Sequence, residues 1–585
     1  MDQISGKRGA SETRDGMIID WDVPIVMDDG VTLRADVFRP LVRGQYPAIV
    51  SYGPYAKWLT FQEGYQTAWE IMIREYPEVL MGSSNAYQSW EIVDPEKWVP
   101  DGYVIVRVDS RGAGRSPGYI DPFSPRETKD FSECIEWAAM QNWSNGKIGL
   151  AGISYYAINQ WHVAALQPPH LSAICAWEGA GDWYRDKNHH GGILCTFQTN
   201  WYDMQVKTVQ HGLGGRGPRS TMTGDLVCGP ETLSDEELAN YRCEFGETIA
   251  AHSLDDDYHR ARSADWNTVK VPLLSCGNWG GHGLHLRGNV EGFTRAASTQ
   301  KWLEVHTGSH WALFYTDYAI NLQKRFFGHF LKGEKNGWDE QPQLQLHIRN
   351  VDGSFVERHE NEWPLARTQW TKLYLDCARR SLGADPVATD TVSYDGMGEG
   401  VTFLTAPLTE ETEITGPVAA KLFISSSTTD ADIFLILRVF APDDKEVVFQ
   451  GAIDPHTPVA QGWLRASHRK LDKALTTAYR PYHTHDERRP LRAGDIVELD
   501  IEIWPTSIVV PRGYRIGLSI QGKDYVYPGP SGGRLSNMKN EFTGCGPFLH
   551  DDPQDRPANI FGGRVTLHNT VQQPSYLYLP IIPPR

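Results

Sequence analysis

Apolar and polar positions alternate with period two through residues 18–39, on both sides of Asp28-Asp29-Gly30. That pattern predicts two strands joined by a tight turn. The runs at 46–52 (Y-P-A-I-V-S-Y) and 103–109 (Y-V-I-V-R-V-D) are nearly continuous in apolar residues. Such runs predict strands covered on both faces, as in a parallel sheet. Over 127–140, Phe131, Cys134, Ile135 and Ala138 share one helical face. A strand at 147–154 then leads directly into a helix, and further strands follow at 171–177, 271–277 and 301–306. Residues 317–332 close the series as an amphipathic helix. Strands alternating with helices predict an α/β domain with a mostly parallel sheet.

Two stretches break this rhythm. Residues 183–265 are too long for a plain loop and carry helix-like segments such as S-D-E-E-L-A-N-Y-R. They are expected to be an insertion capping the C-terminal edge of the sheet. From about residue 340, short alternating strands are separated by Gly, Pro, Asp and Ser. This predicts an all-β unit, read as a jelly-roll sandwich. The expected organisation is 1–182 and 266–338 as two parts of one α/β domain, 183–265 as a helical cap, and 339–585 as the β-domain.

Length alone gives a weaker prior. At ~150 residues per domain, the 585 residues suggest about four units. The pattern reduces that to two large units and a cap. The net charge of −17 argues against a nucleic-acid or anionic-membrane partner. No window of ~18 apolar residues occurs, and the polar N-terminus lacks an apolar leader. A cytoplasmic protein is expected. The eight cysteines form no C-x-x-C pair and read as buried thiols. His189-His190, His282 with His285, and His483 with His485 lack spacing of the H-E-x-x-H kind. They read as solvated or substrate-facing histidines, with no metal and no cofactor expected. The glycine-rich 109–116 segment lacks nucleotide-binding spacing and reads as a tight loop. Asp255-Asp256-Asp257 reads as a solvated face or a helix start.

The sharpest chemical feature is Gly152-Ile153-Ser154-Tyr155-Tyr156, between a predicted strand and a predicted helix. A sharp strand-to-helix turn lifts a serine hydroxyl above the sheet and leaves the next backbone N–H facing an oxyanion. The usual G-x-S-x-G has Tyr156 in place of its last glycine. A serine nucleophile needs a base. His310, in T-G-S-H-W after the last strand, is placed for that task, whereas His306 lies inside the strand and reads as packed.

The segments G-I-S-Y-Y-A-I-N-Q-W, G-P-Y-A-K-W, D-S-R-G-A-G-R-S-P-G and G-S-H-W resemble the cocaine esterase and X-prolyl dipeptidyl aminopeptidase hydrolases. In the second unit, S-S-S-T-T-D-A-D-I-F and G-W-L-R-A-S-H-R also resemble family segments. The resemblance spans residues 18 to 580. It implies an α/β-hydrolase domain, a helical cap and a jelly-roll, galactose-binding-like domain. It also implies hydrolysis of an ester or amide through an acyl-enzyme. By the same match Tyr55 supplies an oxyanion hydroxyl, with Tyr52 as second choice, and Tyr155 supplies the N–H.

One position departs from the family. An Asp is usual after the seventh main strand, but Cys276-Gly277-Asn278-Trp279-Gly280-Gly281-His282 places Gly280 there. Three readings stand open. The acid has moved to Glu178 at the end of the neighbouring strand, Asn278 or His282 orients His310, or the site is not a working hydrolase. The alternative role for Glu178 is a salt bridge to Arg185, and Asp182 is a weaker competitor. Trp58, Trp183 and Trp279 are expected to bind substrate. Phe61, Tyr184, Phe197, Trp201 and Tyr202 are further aromatics of the cleft or the cap core. The expected activity is hydrolysis of a small-molecule ester, ranked above a peptide bond because no clear anionic pair for a substrate amine is seen. An acyltransferase using the same Ser and His, and a catalytically weak binding homologue, are the rivals. A homo-oligomer is left open.

Overall fold

The computed structural model describes residues 9–584. The first half is built on one mixed sheet. Its strands are β1 (Ser11–Arg14), β2 (Met17–Val26), β3 (Thr32–Pro40), β4 (Tyr46–Gly53), β5 (Val104–Asp109), β6 (Ser144–Ile153) and β7 (Leu171–Trp177). After a two-strand ribbon, β8 (His189–His190) and β9 (Ile193–Leu194), come β10 (Leu273–Asn278), β11 (Lys301–His306), β12 (Leu344–Arg349) and β13 (Phe355–Glu360). The sheet order is β1-β2-β3-β5-β4-β6-β7-β10-β11-β12-β13. Every pairing from β5 to β12 is parallel, while both edges are antiparallel. All six residues of β5 are buried, as a strand covered on both faces requires.

Helices bury the sheet. The helix Pro125–Ala139 starts where Ser124 accepts from the Glu127 N–H at 3.3 Å and Pro125 occupies the first turn. The helix Tyr155–Ala165 follows β6 directly. The Leu344–Arg349 segment reads from its alternation as the first strand of the β-unit. It instead pairs in parallel with β11 and widens the first sheet.

The insertion 183–265 is a succession of short helices and turns. Asp235–Asn240 is fixed by a reciprocal cap between Ser234 and Glu237. Asp256 caps Asp257–Arg260, so the acidic triplet does contain a helix start. The histidines expected at a solvated or substrate-facing surface are mostly packed inside: His189, His190, His282, His483 and His485 are all buried.

The C-terminal unit contains β14 (Gln369–Asp376), β15 (Ser381–Gly383), β16 (Asp390–Asp395), β17 (Val401–Leu404), β18 (Thr412–Ser426), β19 (Asp432–Phe440), β20 (Ala460–Arg465), β21 (Val497–Val510), β22 (Arg515–Gln521), β23 (Arg564–Asn569) and β24 (Tyr576–Ile582). β24 pairs with both β14 and β18, so the strands close into a ring around an apolar interior. Two segments of this unit leave the ring and join the core of the first domain. Ala452 and Ile453 come from one, and Leu535, Met538, Phe542 and Phe548 from the other. No helix among the described residues is long and apolar enough to cross a membrane.

Candidate active site

β6 ends in a turn with Ser154 at φ 55° and ψ −112°, a backbone state that non-glycine residues adopt only under constraint. The constraint is visible. The Ser154 N–H lies 3.2 Å from the carbonyls of both Trp177 and Glu178, and the Ile153 N–H donates to Glu91 O at 2.9 Å. Gly152 has no room for a side chain, since an added Cβ would lie 2.4 Å from Tyr156 Cβ. The missing last glycine of the motif is offset elsewhere. A Cβ at Gly53 would sit 2.5 Å from the Tyr156 ring, so Gly53 makes the space that Tyr156 fills.

His310 follows β11, and its backbone N–H donates to Ala452 O at 2.6 Å. Its Nδ1 lies 2.9 Å from Glu178 Oε2. Glu178 is the residue after β7, fully buried at φ 50°. Its other oxygen, Oε1, accepts from Asn278 Nδ2 at 3.2 Å and lies 2.8 Å from His306 Nε2. His306 Nδ1 in turn meets Glu304 Oε2 at 2.8 Å. On the opposite side, His310 Nε2 lies 3.0 Å from Glu91 Oε1. The result is an unbroken row of alternating carboxylates and imidazoles: Glu91, His310, Glu178, His306, Glu304.

Charge in this row follows from the pairing. Burial works against the Glu178 carboxylate, but His310 and His306 outweigh it and hold the group at about 2. Burial also disfavours the imidazolium of His310, yet Glu178 and then Glu91 raise it to about 10. His306 is raised to about 9 against burial, by Glu304 and Glu178. Glu91 is the exception, since burial wins there and lifts the carboxyl to about 7.

Tyr55 faces the same cleft. Its Oη accepts from Trp201 Nε1 at 2.9 Å. An indole N–H can only donate, so the tyrosine hydrogen stays available for another acceptor. Tyr155 opens the helix after the serine, and its side chain turns away to Glu127 and the Phe123 N–H. Tyr52 is buried against Phe131, outside this cleft.

The cleft holding Ser154, His310, Glu91 and Tyr55 is tight, with free space of only about 20 Å³. Trp90, Phe197, Trp201 and Trp311 wall it, and Ile453, Leu535, Asn537 and Met538 close it from the C-terminal unit. The three tryptophans expected at the substrate are elsewhere. Trp58 Nε1 donates to Asp36 in a buried ion cluster, and Trp279 Nε1 donates to His347 O. Trp183 packs on Phe123 and Phe245 under the buried Lys187 Nζ. Phe197 and Trp201, among the further aromatics, do line the cleft.

The orienter candidates separate as well. Asn278 does not touch His310 but steadies Glu178 and bonds Gly308 O at 2.7 Å. His282 lies toward Trp504 and makes no contact with His310 among the described residues. His285 stacks on His310 instead, with centroids 4.8 Å apart and planes within 2°. Arg185 is held by Asp182 and Asp255 at 2.8 Å each, so neither Arg185 nor Asp182 engages Glu178.

Gly280 has a structural reason. A Cβ there would lie 2.4 Å from Gly451 Cα, and the Ala452 N–H donates to Gly280 O at 3.1 Å. The loop from the C-terminal unit occupies the space where a side chain would project. Glu91 escaped the sequence reading because no local motif marks it, and His285 was read there only as a solvated or substrate-facing histidine, not as a neighbour of His310. The unusual positive φ of Glu91, 64°, belongs to the fold and not to the sequence pattern.

Comparison with known proteins agrees with this architecture. A model of the X-Pro dipeptidyl-peptidase (S15 family) matches residues 29–312, and one of the X-Pro dipeptidyl-peptidase C-terminal non-catalytic domain matches 336–578. The cocaine esterase of Rhodococcus sp. (strain MB1 Bresler) is 24% identical over 633 aligned positions, covering 96% of this chain and 98% of that protein. A solved CocE/NonD family hydrolase from Staphylococcus aureus superposes with a TM-score of 0.83 at 29% identity, covering 97% of this chain and 94% of that one. An α-amino acid ester hydrolase shares the fold, with a TM-score of 0.67 at 14% identity over 99% of both chains.

Proposed function

This chain belongs to the cocaine esterase and X-Pro dipeptidyl-peptidase (S15) family of hydrolases, and on that premise we propose that it is a serine esterase working through an acyl-enzyme. In this reading the parallel sheet is an α/β-hydrolase core. Residues 183–265 are its cap, and the C-terminal unit, from β14 onward, is a jelly roll, since β12 and β13 belong to the first sheet. The substrate is a small organic ester with an apolar or aromatic acyl or alcohol part, which suits the narrow aromatic cleft.

The single observation that carries the proposal is the Glu178–His310 contact beside Ser154 and Tyr55 in one cleft. Glu178 takes the role of the triad acid from the end of β7. The chain order nucleophile, acid, base is kept. At rest, His310 Nε2 points to Glu91. Glu91 is the carboxylate in contact with that nitrogen, so it is the group placed to receive the Nε2 proton when His310, itself raised to about 10, gives it up. The freed Nε2 lone pair then accepts the Ser154 proton as Oγ attacks the acyl carbon. The Tyr55 hydroxyl and the Tyr155 N–H hold the resulting oxyanion. Collapse expels the alcohol, which receives its proton from His310. Water then repeats the sequence in reverse roles and releases the acid and free Ser154.

A fluorophosphonate probe tests the proposal together with turnover of p-nitrophenyl esters of graded acyl length. Labelling at Ser154 and loss of turnover in Ser154→Ala are expected. A folded protein that neither labels nor turns over would favour the binding homologue. Adding an alcohol acceptor and finding transfer product in place of acid would favour the acyltransferase.

A further inference from the structure

Away from the cleft, His190 and Cys195 of the insertion meet His550 of the C-terminal unit. All three are buried, and one ligand atom from each lies within 4.8 Å of the other two. The hydrogen-bond pattern around the imidazoles is unusual. His190 Nε2 lies 3.2 Å from Asp186 O, and a carbonyl can only accept, so this nitrogen carries a hydrogen. His550 Nδ1 lies 2.7 Å from Asp524 Oδ1, and Asp524 Oδ2 accepts the His550 backbone N–H at 2.7 Å. The hydrogen of a neutral His550 is therefore directed to Asp524. The two inward nitrogens, His190 Nδ1 and His550 Nε2, are then both lone pairs, yet they face each other at 2.8 Å. Something positive belongs between them.

The structure assigns a zinc site to this position, with His190 Nδ1, His550 Nε2 and Cys195 Sγ as ligands. Two imidazoles and a thiolate suit this borderline-soft ion. The outer contacts are those expected of metal-bound histidines: a carboxylate behind one ring and a carbonyl behind the other. Burial and the nearby Asp524 and Asp551 push the Cys195 thiol up, opposed only by the Phe197 N–H directed at Sγ, so it is a bound cation that would draw off the thiol proton. Charge closes as well, since Zn²⁺, the Cys195 thiolate and the Asp524 carboxylate sum to zero. Zn–N distances near 2.0–2.1 Å would need the two rings to separate by only about half an ångström.

The site would pin the insertion to the C-terminal unit. The same segments are already joined, since the Leu194 N–H donates to Asp555 Oδ2 at 3.0 Å and the Thr196 N–H to Leu549 O at 2.9 Å. Phe197, two residues beyond Cys195, lines the cleft. The zinc would therefore fix one wall of the substrate space without touching the reacting atoms.

Metal analysis of untagged full-length protein, loaded with Zn²⁺ and freed of excess by a chelating resin, tests the assignment. About one zinc per chain is expected, falling at least tenfold in Cys195→Ser and in His550→Gln. Stripping the metal should lower Tm by several degrees, and re-adding zinc should restore it. Cobalt-loaded wild type should show thiolate-to-cobalt charge-transfer absorption, a readout that holds even if the variants fail to fold. Zinc-free wild type after loading, or cobalt protein without the thiolate band, would overturn the site. Either result would leave a shared proton as the bridge between the two histidines.

Discussion

Two buried charge networks lie along the same mixed sheet, and they are built from different chemistry. One is the row Glu91–His310–Glu178–His306–Glu304. The other joins Lys57, Asp22, Asp36, Asp109 and Arg115, with Lys57 Nζ 3.3 Å from both Asp22 and Asp36 and Arg115 3.2 Å from Asp22. In the second, burial works against the Lys57 charge, but the surrounding aspartates outweigh it and its pKa rises. Lys57 therefore stays charged at any physiological pH, and it also stacks on Trp58 at 4.4 Å. Such a cluster holds loops in place. In the first network every cation is an imidazole, so protons can move, and one end opens on the cleft. Permanently charged pairs suit architecture, and imidazole–carboxylate pairs suit proton transfer.

Breaking the comparison starts at the cleft. Ser154→Ala should cut ester turnover by about 10⁵-fold or more while Tm stays near wild type, as steady-state kinetics and calorimetry would record. Glu178→Gln should cost about 10⁴-fold in kcat, because an amide holds His310 but cannot balance the imidazolium. Near-wild-type kcat in this variant would remove Glu178 from the triad. In the other network the damage should fall on stability. Lys57→Met leaves buried carboxylates unpaired and should cost about 3–5 kcal/mol in denaturant unfolding. If Lys57→Met instead lost turnover with an unchanged unfolding midpoint, the division between the networks would fail.

Smaller effects sharpen the picture. Tyr55→Phe should lower kcat by about 10²–10³-fold with little change in KM, because the hydroxyl matters only once the oxyanion forms. Glu91→Gln tests the proton acceptor. A carboxylate on Nε2 stabilises the His310 imidazolium, so removing it lowers that pKa and makes the neutral base available at lower pH. The acid limb of the kcat/KM profile should therefore move down by about one unit. An unmoved limb would mean that Glu91 does not share the His310 proton.

The elements and the sharp strand-to-helix turn at Ser154 were legible in the sequence. β4 to β7 and the helix after Ser154 follow from apolar runs and local spacing, because a strand buried on both faces needs nothing but its own side chains to declare it. His310 was legible for the same reason, being a loop residue after a recognisable strand. Leu344–Arg349 was misassigned because alternation fixes a strand but not its partner.

What tertiary structure decided is who meets whom at the strand ends. Glu178 stood as one of three readings until β7 brought it to His310. Gly280 became intelligible only with Gly451 of the distant C-terminal unit pressed against it. Glu91, His285 and half the cleft wall come from segments that no local motif marks. Trp58, Trp183 and Trp279 show the converse, since an aromatic residue declares that it will be buried but not against what. Periodicity and turn chemistry are properties of neighbouring residues. The row of carboxylates and imidazoles and the walls of the cleft are properties of residues that only the packed chain makes neighbours.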